Sequence, residues 1–495
     1  MSKESKRKWR KWHKWLALVL TLFIVISCIS GVILNHRKEL VGCDISRSIL
    51  PKAYHFRSWN NGALRGTHKI NRDSVVMYGA AGVWLTDSLN CGYRDFNQGF
   101  SEGADNQIVS NVVQIKDRLF AATTFDIYTR GFGDSKWKNI TSFFEGDERF
   151  SNLASKGDTL VVVGRSYLFV ATAPYTDFKR VELAAPIDYD GRVSLFRTVW
   201  FAHSGELYGH LGKSVVDTMA VVIVILCITG LLIFFLPKRM RRLRGQKEAL
   251  KSSAEKLKLS HKWHRLIGWY TLPILLFIGI TGFMLRPPLM VVLALNRVPA
   301  MPGSILDSEN AWKDRLRVMR YDTHFEDWLL YSSEGFFSLS SLDAVPKKIE
   351  CTPVVSVMGL TAMEQMDSLN WMMTSFSGAY RWNRAEQTNF DCIDNKYVPQ
   401  QKGGMPTFDK AISGYTADLR GVTTFVSYDK GTDMIAQQPV ALGKGRMSYW
   451  HLALECHVGR IFQVFPMFEM LYVFVFGGLF IVILISGYFL VKKRR

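Results

Sequence analysis

Apolar and polar positions divide this 495-residue chain into four long apolar runs and two long stretches of short β-type runs broken by polar turns. The apolar runs, 15–34, 215–236, 266–285 and 471–491, each come close to the ~20 residues a helix needs to cross a bilayer, so each predicts a transmembrane helix. The first run also has signal-peptide character, and Val25-Ile26-Ser27-Cys28 distantly resembles a lipoprotein cleavage box. It continues past Cys28, however, and its repeat partner at 264–285 lies mid-chain, out of reach of a signal peptidase. It is read as a retained helix.

Between the helices the period changes. Three similar stretches, 75–100, 118–141 and 159–183, start 43 and 41 residues apart. Each has a β-rich run, a polar turn and a second aromatic β run; Leu119-Phe120-Ala121-Ala122-Thr123 corresponds to Leu160-Val161-Val162-Val163-Gly164. A period near 42 with several short strands is the spacing of propeller blades. Three more stretches, 327–351, 371–392 and 422–440, follow in the second segment. Three blades do not close a ring, so the expectation is that the segments combine into one six-bladed propeller; two separate β-rich domains are the other reading. A Trp-Asp dipeptide at fixed places in the blades is absent.

Charge orients the helices. The net charge is +19, and three short segments hold all of it. Residues 1–15 carry seven Lys/Arg against one acid, residues 237–265 eleven against two, and the C-terminal tail four. An excess confined to short segments beside helices is the positive-inside pattern, not a nucleic-acid surface. Both termini and the middle loop are therefore expected in the cytoplasm of a bacterium, the protein in its inner membrane, and both β-rich segments in the periplasm. Anionic lipid is a second use of the same cations. The expected organisation is 1–36, cytoplasmic N-terminus and helix 1; 37–202, β-rich; 203–236, a His-containing segment and helix 2; 237–265, basic loop; 266–295, helix 3; 296–450, β-rich; 451–495, a His-containing segment, helix 4 and basic tail. The fold class is a mixed membrane protein: a four-helix bundle of two tandem two-helix repeats with a large β-rich, propeller-like periplasmic region.

The tandem reading rests on repeated motifs. Ile29-Ser30-Gly31, Ile228-Thr229-Gly230, Ile280-Thr281-Gly282 and Ile485-Ser486-Gly487 lie one in each apolar run. Lys11-Trp12-His13 and Lys262-Trp263-His264 open two of the runs, each His 18 residues before its Gly. His203-Ser204-Gly205 and His457-Val458-Gly459 precede the other two. Each set of two histidines is thereby predicted to face its equivalent across a pseudo-two-fold axis along the membrane normal, as in parallel repeats. Two opposed imidazoles are what a six-coordinate b-type haem requires, and bundle cores hold such cofactors. Eighteen residues rise about 27 Å, which carries Gly31 and Gly282 to the level of His203 and His457. Gly230 and Gly487 correspondingly approach His13 and His264. A flat macrocycle needs small residues beside it; Gly and Ser/Thr that merely let helices pack closely are the other reading. Gly230 lies 27 residues after His203 and Gly487 30 after His457, longer than one crossing. The outer site is therefore expected on helical extensions at the membrane surface, with His36 and His210 as alternative ligands. Taken singly, His36, His55, His68, His210, His324 and His451 read as boundary or structural histidines.

Seven cysteines do not make a disulfide scaffold. Cys28 and Cys227 read as small buried thiols. Cys43, Cys91, Cys351 and Cys392 face an oxidising compartment, where one or two bridges are open to them. Cys456 beside His457 is a poor metal motif.

These motifs resemble those of the PepSY-associated transmembrane family, which includes bacterial di-haem ferric-siderophore reductases. The likeness is carried by Arg10-Lys11-Trp12-His13-Lys14-Trp15 leading to Ile29-Ser30-Gly31, by Ser260-His261-Lys262-Trp263-His264-Arg265 leading to Thr281-Gly282, and by His203-Ser204-Gly205 and His457-Val458-Gly459-Arg460. The resemblance implies two b haems per chain with His13, His264, His203 and His457 as axial ligands, and electron transfer to a periplasmic ferric chelate. Outside the helices neither segment shows a PepSY module. No GxGxxG occurs in the middle loop, so the electron donor is expected to be a quinol, a separate protein or a diffusible reductant. No Ser-His-Asp, HExxH, CxxC or P-loop arrangement points to hydrolysis or ATP use. The rival reading is a haem-free membrane protein whose head binds a partner; a transporter fits less well, with four helices and no acid in a helix core.

Overall fold

A computed structural model describes residues 3–144, 148–243, 245–398, 410–463 and 468–491; the basic tail at 492–495 lies outside them. The chain divides into two compact units. One comprises residues 1–40, 191–307 and 449–495, the other 41–190 and 308–448.

The first unit is helical. Four helices are long and apolar enough to cross a membrane: α1 (Lys3–Asn35), α3 (Gly209–Arg242), α4 (Lys247–Met284) and α7 (Phe468–Val491). They contact one another in the cycle α1, α3, α4, α7 and back to α1. Helices α1 and α4 therefore stand on one diagonal, α3 and α7 on the other. Close approach follows from small residues: a Cβ on Gly279 would meet the Phe480 ring at 3.3 Å. A shared apolar core runs through the middle from Cys28, Met219, Ile223 and Leu275, while Val19, Leu22, Val221 and Phe277 are exposed, as surfaces facing lipid must be. Helix α4 stops ahead of Pro287-Pro288, which supply no N–H to continue it.

Three short helices complete this unit: α2 (Leu195–Ser204), α5 (Leu289–Ala294) and α6 (Tyr449–His457). Helix α2 packs on α4, and α6 on α1. Strands Arg192–Ser194 and Arg297–Pro299 pair into a ribbon. That ribbon draws 191–202 and 296–307 into the helical unit, so the β-rich segments are shorter than the expected 37–202 and 296–450.

The second unit is built from both β-rich segments. Six antiparallel sheets occupy 66–95, 109–139, 150–181, 316–348, 360–398 and 412–427. Their first strands, Gly66–Lys69, Val109–Ile115, Phe150–Lys156, Leu316–Asp322, Leu360–Gln365 and Ile412–Thr416, contact one another in that order and return from the last to the first. Each neighbouring pair shares a hydrophobic cluster. Val161 and Val163 of the third sheet pack with Met319 and Leu330 of the fourth; Val75 and Met77 of the first pack with Val426 of the sixth. The two segments are thereby one body. Second strands such as Thr159–Gly164 and Asp327–Ser332 are buried on both faces from their second residue on, which is why their apolar runs were legible in the sequence. The first strands mix polar and apolar residues and were not. In five sheets the ladder slips near the start of the first strand, between Val109 and Asn111, Phe150 and Asn152, Leu316 and Val318, Leu360 and Ala362, and Ile412 and Gly414. A bulge recurring at one place is a designed bend. All seven cysteines are free thiols, so none of the bridges open to Cys43, Cys91, Cys351 and Cys392 is formed.

Leu330 is fully buried where the segments meet. Leu330→Ala should cost about 2–5 kcal/mol and lower the melting temperature of the β-rich unit, followed by near-ultraviolet circular dichroism. Tyr397→Ala, at an exposed position, should leave it within the error of the scan.

Candidate functional site

Four histidines meet in two pairs inside the helical unit. The rings of His13 on α1 and His264 on α4 face each other across the bundle diagonal with centroids 6.3 Å apart. Those of His203 on α2 and His457 on α6 also stand 6.3 Å apart. The sequence paired these residues by repeat position alone, and the fold brings the same partners together.

Each imidazole is held in the same way. His13 Nδ1 lies 2.8 Å from Ser486 Oγ and 3.2 Å from the Ile483 carbonyl. His264 Nδ1 lies 2.9 Å from Thr229 Oγ1, with the Leu226 carbonyl also in reach. His203 Nδ1 contacts Thr281 Oγ1 at 3.3 Å and the Ile278 carbonyl at 3.0 Å. His457 Nδ1 contacts Ser30 Oγ at 3.0 Å and the Ser27 carbonyl at 3.1 Å. The rule is a hydroxyl and the carbonyl three residues before it, both on a neighbouring helix.

Hydroxyl geometry fixes the tautomer. Ser486 Oγ donates to the Ile483 carbonyl, Thr229 Oγ1 to Ile225, Thr281 Oγ1 to Phe277 and Ser30 Oγ to Ile26. With its proton committed to its own helix, each hydroxyl accepts from the histidine, so Nδ1 carries the hydrogen and Nε2 keeps a lone pair. Among the described residues none of the four Nε2 atoms has a hydrogen-bond partner. A histidine whose Nδ1–H is bound to an oxygen presents Nε2 in the form a metal takes.

The glycine of each tripeptide lies against the same ring. A Cβ on Gly31 would come 3.5 Å from His457 Cε1, on Gly230 3.5 Å from His264 Cε1, on Gly487 3.5 Å from His13 Cε1, and on Gly282 2.6 Å from His203 Cε1. One tripeptide thus provides an acceptor for the imidazole and the space beside it. Sequence reading weighed Ser and Thr only as small residues and missed the acceptor. Their recurrence beside all four glycines was the available signal.

The His-x-Gly motif has a separate cause. Gly205 and Gly459 sit in the left-handed region, at φ 80° and 79°, and end α2 and α6 one residue and two residues after the helix limits. Against Gly205 a Cβ would fall 2.3 Å from the Gly212 carbonyl oxygen, and against Gly459 2.3 Å from the Tyr472 ring. The chain therefore turns sharply just past each histidine. This turn absorbs the 27-residue separation of His203 from Gly230, which a straight helix would stretch to about 40 Å. Of the alternative residues, His36 bonds Asp217 Oδ2 through Nε2 at 2.9 Å, and His210 on α3 has no described contact with either pair.

With metal–imidazole bonds near 2 Å, ring centres about 6 Å apart are what two imidazoles require on opposite sides of one metal atom. Two ligands leave four octahedral positions open. Among the described residues no cluster of three or more His, Cys, Asp or Glu gathers to fill them. The donor set suits a metal that brings its own equatorial ligands in a flat ring.

The model of the PepSY-associated TM region matches residues 134–494. Among solved structures the chain is similar to the extracellular domain of a one-component system, BT4673, from B. thetaiotaomicron, at 8% identity with a TM-score of 0.32, over 80% of this chain and 40% of that one. No curated protein matches the chain. The family model covers well over half the chain, and the chain belongs to that family.

Of the four glycines only Gly282 has no room for a methyl group. Gly282→Ala should displace the His203 ring and destabilise the bundle by about 1–3 kcal/mol, seen as a lower helical melting temperature in detergent. Gly31→Ala, Gly230→Ala and Gly487→Ala, at ordinary contact distance, should melt close to the parent.

Proposed function

We propose, taking membership of the PepSY-associated TM family as the premise, that this chain is a bacterial inner-membrane electron-transfer protein holding two b haems. One is bound by His13 and His264, the other by His203 and His457. The observation that carries the reading is the two imidazole pairs, each with ring centres 6.3 Å apart and each ring holding its Nδ1 against a hydroxyl of a neighbouring helix.

When bound, haem supplies the one-electron chemistry. The chain's own residues do the rest. Ser486, Thr229, Thr281 and Ser30 hold the imidazole tautomer and raise the basicity of Nε2. Gly31, Gly230, Gly282 and Gly487 keep the level of each pair free of side chains. The apolar core around Cys28, Met219, Ile223 and Leu275 keeps water from the space between the pairs, where an uncompensated charge is costly.

The positive-inside pattern puts His13 and His264 on the cytoplasmic side and the other pair on the periplasmic side. Electrons then run outward. The six sheets are read as a periplasmic six-bladed propeller, supported by the cyclic contact of their first strands. Its acceptor is proposed to be chelated ferric iron, as the likeness of the histidine motifs to ferric-siderophore reductases implies. The two halves of the bundle are read as tandem repeats, supported by the fourfold recurrence of the hydroxyl-carbonyl-glycine cradle.

A reduced-minus-oxidised absorption spectrum of detergent-purified protein, with pyridine extraction, should give two b haems per chain. His13→Ala and His264→Ala should each remove one and spare the other; His203→Ala and His457→Ala should remove the second. A colourless protein from haem-replete cells would overturn the proposal.

The acceptor is tested separately. Dithionite-reduced protein in proteoliposomes should reoxidise on addition of a ferric hydroxamate, with ferrous iron appearing in a ferrous-specific dye. Reduced protein unaffected by the chelate would exclude that acceptor while leaving the haem assignment intact.

A further inference from the structure

The β-rich unit holds a small polar cavity where its first strands converge. The wall takes Asn111 from the second sheet, Asn152 from the third, Arg320 from the fourth and Glu364 from the fifth. Arg65, the residue ahead of the first strand of the first sheet, completes it. The space open to the centre of a water-sized body is about 10 Å3. That is room for one water or one monatomic ion, and it excludes anything bulkier.

Its charges do not balance. Arg320 reaches one Glu364 oxygen at 3.3 Å through Nη2, and 42% of the Glu364 side chain is exposed, so that carboxylate is shared with water. Arg65 has no carboxylate partner among the described residues. It gives Nε to the Thr361 carbonyl at 3.1 Å and Nη2 to the Leu360 carbonyl at 3.0 Å. Its Nη1 has no partner among the described residues. Burial lowers the proton affinity of Arg65 and the nearby Arg320 adds to the effect, yet a guanidinium keeps its proton in a protein. Two cations and one carboxylate therefore border one cavity, and an uncompensated charge inside a protein is costly.

The groups left over are donors. Asn111 is spent, with Oδ1 accepting from the Tyr78 hydroxyl at 3.1 Å and Nδ2 donating to the Leu153 carbonyl at 2.8 Å. Asn152 is buried, and its Oδ1 accepts from Arg320 Nη1 and from Asn111 Nδ2. Its Nδ2 has no partner among the described residues. Spare N–H groups beside excess positive charge select an anion. We propose that the cavity is a binding site for a monatomic anion, chloride, held by Arg65, Arg320 and Asn152. Arg65 and Asn152 come from the first β-rich segment and Arg320 from the second, so the anion ties the two segments together at the centre of the unit.

The test uses full-length protein in detergent and sodium chloride, with sodium gluconate at equal ionic strength as an anion too bulky for the cavity. Chloride should raise the melting temperature of the β-rich unit, followed by near-ultraviolet circular dichroism, by about 3 °C or more and in a saturable way. Bromide should do the same, and gluconate should not. Arg65→Met should abolish the response. Glu364→Gln removes the competing carboxylate and should lower the half-saturating chloride concentration about tenfold. Lys116→Met, which loses a surface cation paired with Asp158, should respond as the parent does. In parallel, the parent should broaden the chloride NMR line, and bromide should reverse the broadening.

A melting temperature that rises equally in chloride and gluconate would overturn the proposal and leave water as the occupant of the cavity. So would a chloride response that survives in Arg65→Met. Should that variant fail to fold, Glu364→Gln decides: a half-saturating concentration equal to or above that of the parent would sink the site.

Discussion

A polar nitrogen placed among membrane helices must find a partner within the protein, because no water is there to supply one. That constraint organises the helical unit. Each of the four imidazoles hands its Nδ1 hydrogen to a hydroxyl and a carbonyl on a neighbouring helix, and each hydroxyl returns its own hydrogen to the helix that bears it. The bond does two things at once. It ties α7 to α1, α3 to α4, α4 to α2 and α1 to α6, and it leaves Nε2 as the free nitrogen in all four rings.

The glycine next to each hydroxyl belongs to the same device. A hydroxyl can reach an imidazole across helices only where the backbones are close, and glycine permits that approach. The 2.6 Å clearance at Gly282, against 3.5 Å at the other three, marks the tightest of the four. At each of the four positions the glycine is the residue that lets the ring lie against the neighbouring helix.

The β-rich unit meets a different requirement. Its sheets expose almost nothing of their second strands because neighbours cover both faces, so each sheet depends on the next for its core. A segment of three sheets would leave two such faces bare. Association of the third sheet with the fourth and the sixth with the first removes both. The chain therefore assembles this unit from segments separated by two membrane-spanning helices.

Much of this was written in the sequence. Four apolar runs of bilayer length, the equal 18-residue spacing of His13 to Gly31 and His264 to Gly282, and the fourfold tripeptide already implied which residues share a level, because helical rise is constant at 1.5 Å per residue. Continuous apolar runs betrayed the second strands, since burial on both faces removes alternation. What the sequence could not determine depends on direction around an axis and on turns. Which helices stand on a diagonal is decided by packing, and so is the hydroxyl each ring meets. The turns at Gly205 and Gly459 set α2 and α6 against α4 and α1, in place of straight extensions of the spanning helices. The polar first strands, too, acquire their position only from the neighbours they touch, as contacts between residues hundreds of positions apart leave no local pattern.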